Sequence, residues 1–266
     1  PREFLLPNAF NAKHTKMLKD AVNIPVFIGH NIFSPEDAEK MLAEGNADFV
    51  ALGRSQLAEP AWAKKAKEGR ASDIKPCINC LIGCIDRGML SHTPIHCTVN
   101  PSLYRFECKP VEKAETRKQV AVVGAGPAGC EAALTASKRG HQVTIYEKRC
   151  IGGAMIEASK PENKANIKRL IHYYEDHIMH DPNITLVKEE VEYETLVHSG
   201  YDAVIIAVGG KTRILNVPGI EKNSVIYASD YLNGSTAVTG NTVVVIGGGI
   251  TGAETALELN AEGKKV

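Results

Sequence analysis

Apolar residues along the chain alternate between short continuous runs and helical stripes, and this alternation predicts an α/β protein. Residues 11–22 read as a helix, with Met17, Leu18, Ala21 and Val22 on one apolar face. Pro25-Val26-Phe27-Ile28 is a short strand ending at Gly29. Ser34-Pro35-Glu36-Asp37 then supplies an N-cap, a proline at the first helical position and two acids for the positive helix start. That helix carries Ala38, Met41 and Leu42 inward and stops at Gly45. Asp48-Phe49-Val50-Ala51-Leu52 is the next strand, ending at Gly53-Arg54. Two strands separated by one helix predict a parallel pair with a right-handed crossover.

Residues 71–117 break the rhythm. They hold Pro76, Pro94, Pro101 and Pro110 with most of the cysteines, and read as a loop-rich segment ordered by something other than a hydrophobic core. The α/β order resumes with strand 119–123, helix 127–139 and strand 142–146. A long amphipathic helix is expected over 163–177, and a buried strand over 201–209. Residues 242–252 repeat the strand–glycine unit of 119–129, so one nucleotide-binding unit occurs twice.

Composition narrows the class. Among 266 residues, 31 Lys+Arg balance 31 Asp+Glu, which argues against a general nucleic-acid binder. Hydrophobic residues make up 44% and charged ones 23%, enough apolar material for a core and too little charge for a disordered chain. No run reaches the roughly 18 apolar residues of a membrane helix, and the opening PREFLLPNAF is unlike a signal peptide. Pro1 in place of Met, and a strand beginning at the last residues, suggest an internal fragment. The odd cysteine count, 7, with four clustered, favours a reducing, cytoplasmic compartment and a metal site over a disulfide framework.

Four constellations carry chemistry. Gly124-Ala125-Gly126-Pro127-Ala128-Gly129 is a GxGxxG directly after a strand and opening a helix. Its first glycine permits the tight turn, the second lets a pyrophosphate approach the backbone, and the third lets helix and strand pack closely. Glu147, at the end of the next strand, is placed to accept hydrogen bonds from ribose hydroxyls. Gly247-Gly248-Gly249-Ile250-Thr251-Gly252 is a second GxGxxG, whose ribose partner is expected some 20 residues on. Cys77-x2-Cys80-x3-Cys84-x12-Cys97 offers four thiolates for an iron–sulfur cluster. Zinc is the competitor, but structural zinc sites usually pair two short knuckles. Cys130 reads as a small core residue, Cys108 and Cys150 as incidental. Gly29 and Gly53-Arg54, each ending a strand, would suit a phosphate at the C-terminal face of a barrel. His172, His177 and His180 read as a solvated face, and Lys64-Lys65-Ala66-Lys67 as an exposed basic run. No Ser/His/Asp set or pair of catalytic carboxylates is evident.

Taken in this order, the motifs resemble the iron–sulfur flavoenzymes of the 2,4-dienoyl-CoA reductase / 2-enoate reductase family, related to trimethylamine dehydrogenase and clostridial bile-acid-inducible oxidoreductases. The resemblance rests on Pro25–Gly29, Asp48–Arg54, Ala58-Glu59-Pro60-Ala61-Trp62, Cys77–Cys84, Cys97-Thr98-Val99-Asn100-Pro101 and both glycine units. It implies an Old Yellow Enzyme-like (β/α)8 barrel with FMN, a [4Fe-4S] segment, then a Rossmann-like FAD domain carrying an NAD(P)H domain. On that reading residues 1–70 are the last two βα units of the barrel and 71–117 the cluster segment and linker. Residues 118–240 are then the FAD-binding domain, and 241–266 the start of the NAD(P)H-binding domain. The resemblance assigns Gly29, His30, Gly53 and Arg54 to the FMN phosphate, and Cys77, Cys80, Cys84 and Cys97 to the cluster. It assigns Gly124, Gly126, Pro127, Ala128, Gly129, Glu147 and the turn at Gly152-Gly153 to FAD, and Gly247, Gly249 and Gly252 to NAD(P)H.

The implied function is electron transfer from NAD(P)H through FAD, cluster and FMN to an activated C=C bond of a small unsaturated substrate. A homo-oligomer is possible on this reading; nucleic acid and membrane are not expected as partners. No proton donor is assigned, because the family's donor lies outside these residues. Two rivals remain. One is an amine dehydrogenase, disfavoured by the x3 spacing between Cys80 and Cys84 and by the intact second GxGxxG. The other is a non-catalytic flavin-binding fragment.

Overall fold

The computed structural model describes residues 8–103 and 111–266; Cys108 and Pro110 lie outside the described residues. The elements are helix α1 (Ala12–Ala21), strand β1 (Phe27–Ile28), α2 (Pro35–Ala43), β2 (Phe49–Val50), α3 (Arg54–Ala58) and α4 (Trp62–Lys67). A wide π-type helix (Ile82–Leu90) follows, then β3 (Gln119–Val123), α5 (Pro127–Lys138), β4 (Gln142–Tyr146), α6 (Met155–Ala158) and α7 (Ala165–His180). The chain continues through β5 (Ile184–Val187), α8 (Tyr193–His198), β6 (Ala203–Ile206), α9 (Ala228–Leu232) and α10 (Ile250–Ala261).

β1 and β2 form the predicted parallel pair, with Phe27 opposite Phe49 and Ile28 opposite Val50. α2 starts as its sequence dictates: the Ser34 hydroxyl accepts the Asp37 N–H at 3.1 Å, with Pro35 in the first turn. Ile28, Ile32, Met41 and Ala47 pack into a small core beneath it. Asp48 accepts the Val26 N–H at 2.9 Å and pairs with Lys19 at 3.0 Å, which ties α1 to the start of β2. The Val26 amide and Lys19 hold its carboxyl below the ordinary range.

The larger unit is a four-stranded parallel sheet in the order β5-β4-β3-β6. Its core joins Val120, Val122, Val143 and Ile145 of the sheet to Cys130 and Ala133 of α5 and Leu170, Tyr174 and Ile178 of α7. The wholly buried Cys130 is the small core residue expected of it.

Several sequence expectations are corrected. α1 has no buried residue: Met17 and Leu18 are exposed, and Leu42 of α2 is also largely exposed. The strands at 27–28 and 49–50 are shorter than their apolar runs, since each has one strand neighbour among the described residues. The helix expected at 163–177 runs to His180. The strand expected buried over 201–209 is confined to β6, where Ile205 packs against the core and Val204 and Ile206, on the opposite face, are exposed. Residues 242–246 form a single bridge, Thr242 to Lys265, rather than a strand, because among the described residues only that neighbour pairs with them. The cysteine segment is not merely loop, since it contains the π-type helix. Lys65 is not an exposed base: it is mostly buried, 2.6 Å from Glu59 and 2.8 Å from the Asp73 carbonyl.

Candidate functional site

The cysteine segment is shaped by glycine. In the π-type helix, Asp86 N–H bonds the Leu81 carbonyl at 2.9 Å and Ser91 N–H the Asp86 carbonyl at 2.8 Å, both over five residues. A side chain at Gly83 would lie 2.4 Å from the His96 carbonyl oxygen, and one at Gly88 would lie 2.7 Å from Ile95. The two glycines therefore let residues 95–97 run against the helix, where His96 N–H bonds the Gly83 carbonyl at 2.8 Å. That contact brings Cys97 alongside Cys84, across a gap in sequence that spacing alone could not close.

Cys77, Cys80, Cys84 and Cys97 all line one small cavity, whose other walls include Arg54, Leu57, Leu81, Gly83 and Val99. Among the described residues no three His, Cys, Asp or Glu side chains are set to hold a metal ion. Four sulfurs on one zinc would have to converge to about 2.3 Å from a common point. Four sulfurs around a cavity instead suit a polynuclear cluster bound from several sides. Burial pushes the Cys77 thiol up to about 12, opposed by the Asn79 N–H and by Arg54; Cys84 is raised for the same reason. The Asn79 N–H lies 3.4 Å from the Cys77 sulfur, and the Thr98 hydroxyl 3.2 Å from that of Cys80. Bonds of this kind tune a cluster's potential.

Above the cavity stand the two strand-end turns. Gly53 has open space where a side chain would be. His30 and Asn31 both hold left-handed φ values, 78° and 52°. The His30 ring lies edge-on to Phe10 at 5.3 Å, so what this residue presents at the turn is its backbone. Arg54 donates to Asn31 Oδ1 at 2.8 Å and to Asn79 Oδ1. Asn31, Asn79 and Thr98 were not singled out by sequence. The signal for Asn79 is its place between two cluster cysteines, combined with asparagine's tolerance of left-handed φ.

The first glycine turn is built as its sequence requires. Gly124 has φ 99°, and a side chain there would lie 2.5 Å from the Ala207 carbonyl oxygen. A side chain at Gly129 would lie 1.9 Å from the Gly124 carbonyl oxygen. Gly126, by contrast, faces nothing nearer than the Cα of Gly153 at 3.9 Å, leaving an open backbone surface. The Gly152 N–H donates to the Ala125 carbonyl at 2.8 Å, which seats the Gly152-Gly153 turn on the motif. Pro127, Ala128 and Gly129 form the first turn of α5, whose leading N–H groups have no partner within the helix. Glu147 Oε2 accepts the Ala125 N–H at 2.8 Å, and Oε1 the Arg149 N–H at 2.7 Å. The carboxylate thus lies against the turn. Residues Gly247, Gly249 and Gly252 repeat the turn at the start of α10.

The cysteine segment is also tied to the larger unit. Lys75 pairs with Glu131 of α5, which accepts the Tyr174 hydroxyl at 2.8 Å. Lys75 lies over the Tyr173 and Tyr174 rings at 5.5 and 5.8 Å.

Two family models match the chain. Residues 118–266 match the pyridine nucleotide-disulphide oxidoreductase model, and residues 6–73 that of the NADH:flavin oxidoreductase / NADH oxidase family. An NADH oxidase of Thermoanaerobacter brockii is 42% identical over 94% of this chain and 39% of its own length. A cinnamate reductase of Clostridium sporogenes is 32% identical over 95% of this chain and 38% of its own. A 2-naphthoyl-CoA reductase, solved in complex with 2-naphthoyl-CoA, superposes with a TM-score of 0.92 at 31% identity, over 98% of this chain and 40% of that one. The chain therefore spans about two fifths of the length of these relatives. No described helix is long and apolar enough to cross a membrane. The chain belongs to the pyridine nucleotide-disulphide oxidoreductases, and the NADH:flavin oxidoreductase match joined to it fits the 2,4-dienoyl-CoA reductase / 2-enoate reductase family of flavoenzymes.

Proposed function

We propose that this chain is the electron-handling middle of an NAD(P)H-dependent oxidoreductase that reduces an activated C=C bond, as in an enoate, enoyl-CoA or enone. The observation that carries this reading is the cavity ringed by Cys77, Cys80, Cys84 and Cys97. Its walls run from Leu57 of the flavin oxidoreductase segment through the cysteine segment to Val99, and Arg54 reaches its wall from the strand-end turn. When bound, FAD and FMN supply hydride transfer and a [4Fe-4S] cluster supplies single-electron transfer between them, in the direction from NAD(P)H to the alkene.

The chain's own residues hold and orient these groups. The four cysteines ligate the cluster, and Leu57, Leu81 and Val99 keep water from its cavity. Gly126, Ala128 and Gly129 offer backbone N–H groups to the FAD pyrophosphate, Gly124 and Pro127 shape the turn, and Gly126 leaves an open surface with Gly153 across from it. Glu147, held at the turn by the Ala125 N–H, offers its remaining acceptor sites to the ribose hydroxyls. Gly29, the backbone of His30, Gly53 and Arg54 cradle the FMN phosphate, and Gly247, Gly249 and Gly252 receive NAD(P)H. The domain limits at residues 70, 117 and 240 follow from the same assignment. The names of the cinnamate and naphthoyl-CoA reductases support an alkene conjugated to a carboxylate or thioester as substrate. Anaerobic reconstitution with iron and sulfide tests the reading. A brown protein with both iron and acid-labile sulfide is expected, and Cys97→Ser should lower their content while Cys108→Ser should not. Stoichiometric zinc without sulfide would overturn it.

A further inference from the structure

Arg54 occupies an unexpected position for a phosphate ligand. It begins α3 at the end of β2, yet its guanidinium is shared between two side-chain amides from elsewhere in the chain. One is Asn31, just beyond β1, and the other is Asn79, between Cys77 and Cys80. Both amides are buried, and both residues hold left-handed φ, 52° at Asn31 and 55° at Asn79. Leu81, at φ 62° and equally buried, is a third such residue, in the same cysteine loop. A leucine in that region is strained, and such strain persists only where the surroundings fix the backbone. A charge-assisted bond to Asn79 Oδ1 is a restraint of the required strength. Lysine could not replace it, since one ammonium cannot span two divergent amides as a planar fork does.

We propose that Arg54 is a positioning residue for the cysteine loop, clamping Asn79 to the strand-end turn at Asn31 so that Cys77 and Cys80 are held in cluster-binding shape. The inference rests on the cluster reading above and deepens it. A turn associated with the flavin phosphate and a loop associated with the cluster then share one cation, so a change at either is felt at the other. The guanidinium also lies on the wall of the cysteine cavity, where its charge favours the extra electron of a reduced cluster.

The test uses the anaerobically reconstituted holoprotein and reads iron loss to a chelator, cluster midpoint potential by electron paramagnetic resonance, and flavin content. Arg54→Gln should lose iron about 10-fold faster or more, the scale of a lost outer-shell contact, and shift the midpoint to more negative potential. Arg54→Lys should keep the midpoint near wild type, because the charge remains, and still lose iron faster. Asn79→Gly accepts the left-handed backbone while removing the amide, and it too should lose iron faster. If Arg54→Gln misfolds, wild-type iron retention by Asn79→Gly overturns the inference. Wild-type iron retention and midpoint in both Arg54→Gln and Arg54→Lys also overturn it, even if FMN content falls. A wild-type protein that takes up zinc and no sulfide defeats the cluster reading instead.

Discussion

Gly124–Gly129 and Gly247–Gly252 trace nearly the same backbone. Their first glycines have φ 99° and 113°, and their second glycines, at the N-caps of α5 and α10, have φ/ψ of −72°/180° and −74°/179°. In both, a side chain on the last glycine would lie 1.9 Å from the carbonyl oxygen of the first. The surroundings differ. Val120 and Val122 before the first turn are buried, Ala125 is wholly so, and β3 has a strand on each side. Val244, Ile246 and Ile250 around the second turn are 83%, 77% and 76% exposed. The turn is thus a property of its six residues, whereas the strand before it and the site around it depend on neighbours.

Gly129→Ala should have the largest effect. The added methyl must displace the Gly124 carbonyl, and α5 cannot retreat because Cys130 and Ala133 are wholly buried beneath it. A loss of about 3 kcal/mol or more is expected, in the range of severe core and backbone substitutions. Gly252→Ala makes the same clash with the Gly247 carbonyl, in a helix whose Leu259 packs in a small cluster with Tyr231 and Leu232. It should melt α10 locally and move the main thermal transition much less. Equal shifts of both variants in thermal denaturation followed by circular dichroism would erase the distinction between the two turns.

Gly126→Val comes next and separates folding from binding. Its backbone is extended, and a Cβ there would meet nothing nearer than 3.9 Å, so the substitution places no branch point against the fold. The melting temperature should therefore hold while affinity for FAD or ADP falls by about 100-fold or more, roughly 2.7 kcal/mol. Calorimetric titration giving equal affinity for wild type and variant would show that the pyrophosphate lies elsewhere.

How much of this was legible in the sequence follows from the range of the interactions. The first GxGxxG, the Ser34 cap and the turn of Gly45 at φ 67° depend on residues within a few positions, and the structure has each of them. The apolar run 242–246 has the same local signature as 119–123 but forms one bridge, because strand formation needs partners that its own residues do not encode. The Cys77, Cys80 and Cys84 spacing was readable. How Cys97 joins them was not, since it depends on Gly83 and Gly88 admitting residues 95–97 against a π-type helix. Arg54 was readable as a cation at a strand end. Its commitment to Asn31 and Asn79 was hidden, because those partners lie 23 and 25 residues away and meet only in the folded chain.

Glu147→Ala sharpens the comparison on a smaller scale. Removing a charged acceptor from the ribose should weaken adenine-nucleotide binding by about 1.5–3 kcal/mol. Part of that loss belongs to the turn, since the carboxylate also accepts the Ala125 N–H at 2.8 Å. Glu147→Gln keeps an acceptor for that N–H, so it should be the milder change in both melting temperature and affinity. If Gln and Ala weaken nucleotide binding equally, the charge at the ribose, rather than the shape of the turn, accounts for the loss.

Gly249→Val should have the smallest effect. Its φ of −74° suits any residue, and no atom lies within 4 Å of the added Cβ, so stability should not change. The helix start behind it can attract phosphate, but a bare helix terminus contributes only about 0.3–1 kcal/mol at an exposed site. Ile250 at that terminus is 76% exposed, so the environment adds little to it. ADP binding to this chain should therefore stay within about 0.5 kcal/mol of wild type, the scatter expected for an independent site. Titrating ADP into wild type, Gly126→Val and Gly249→Val under one set of conditions decides the matter. If Gly249→Val weakens binding and Gly126→Val does not, the exposed second turn is the principal seat of the nucleotide, and the burial around the first turn serves folding alone.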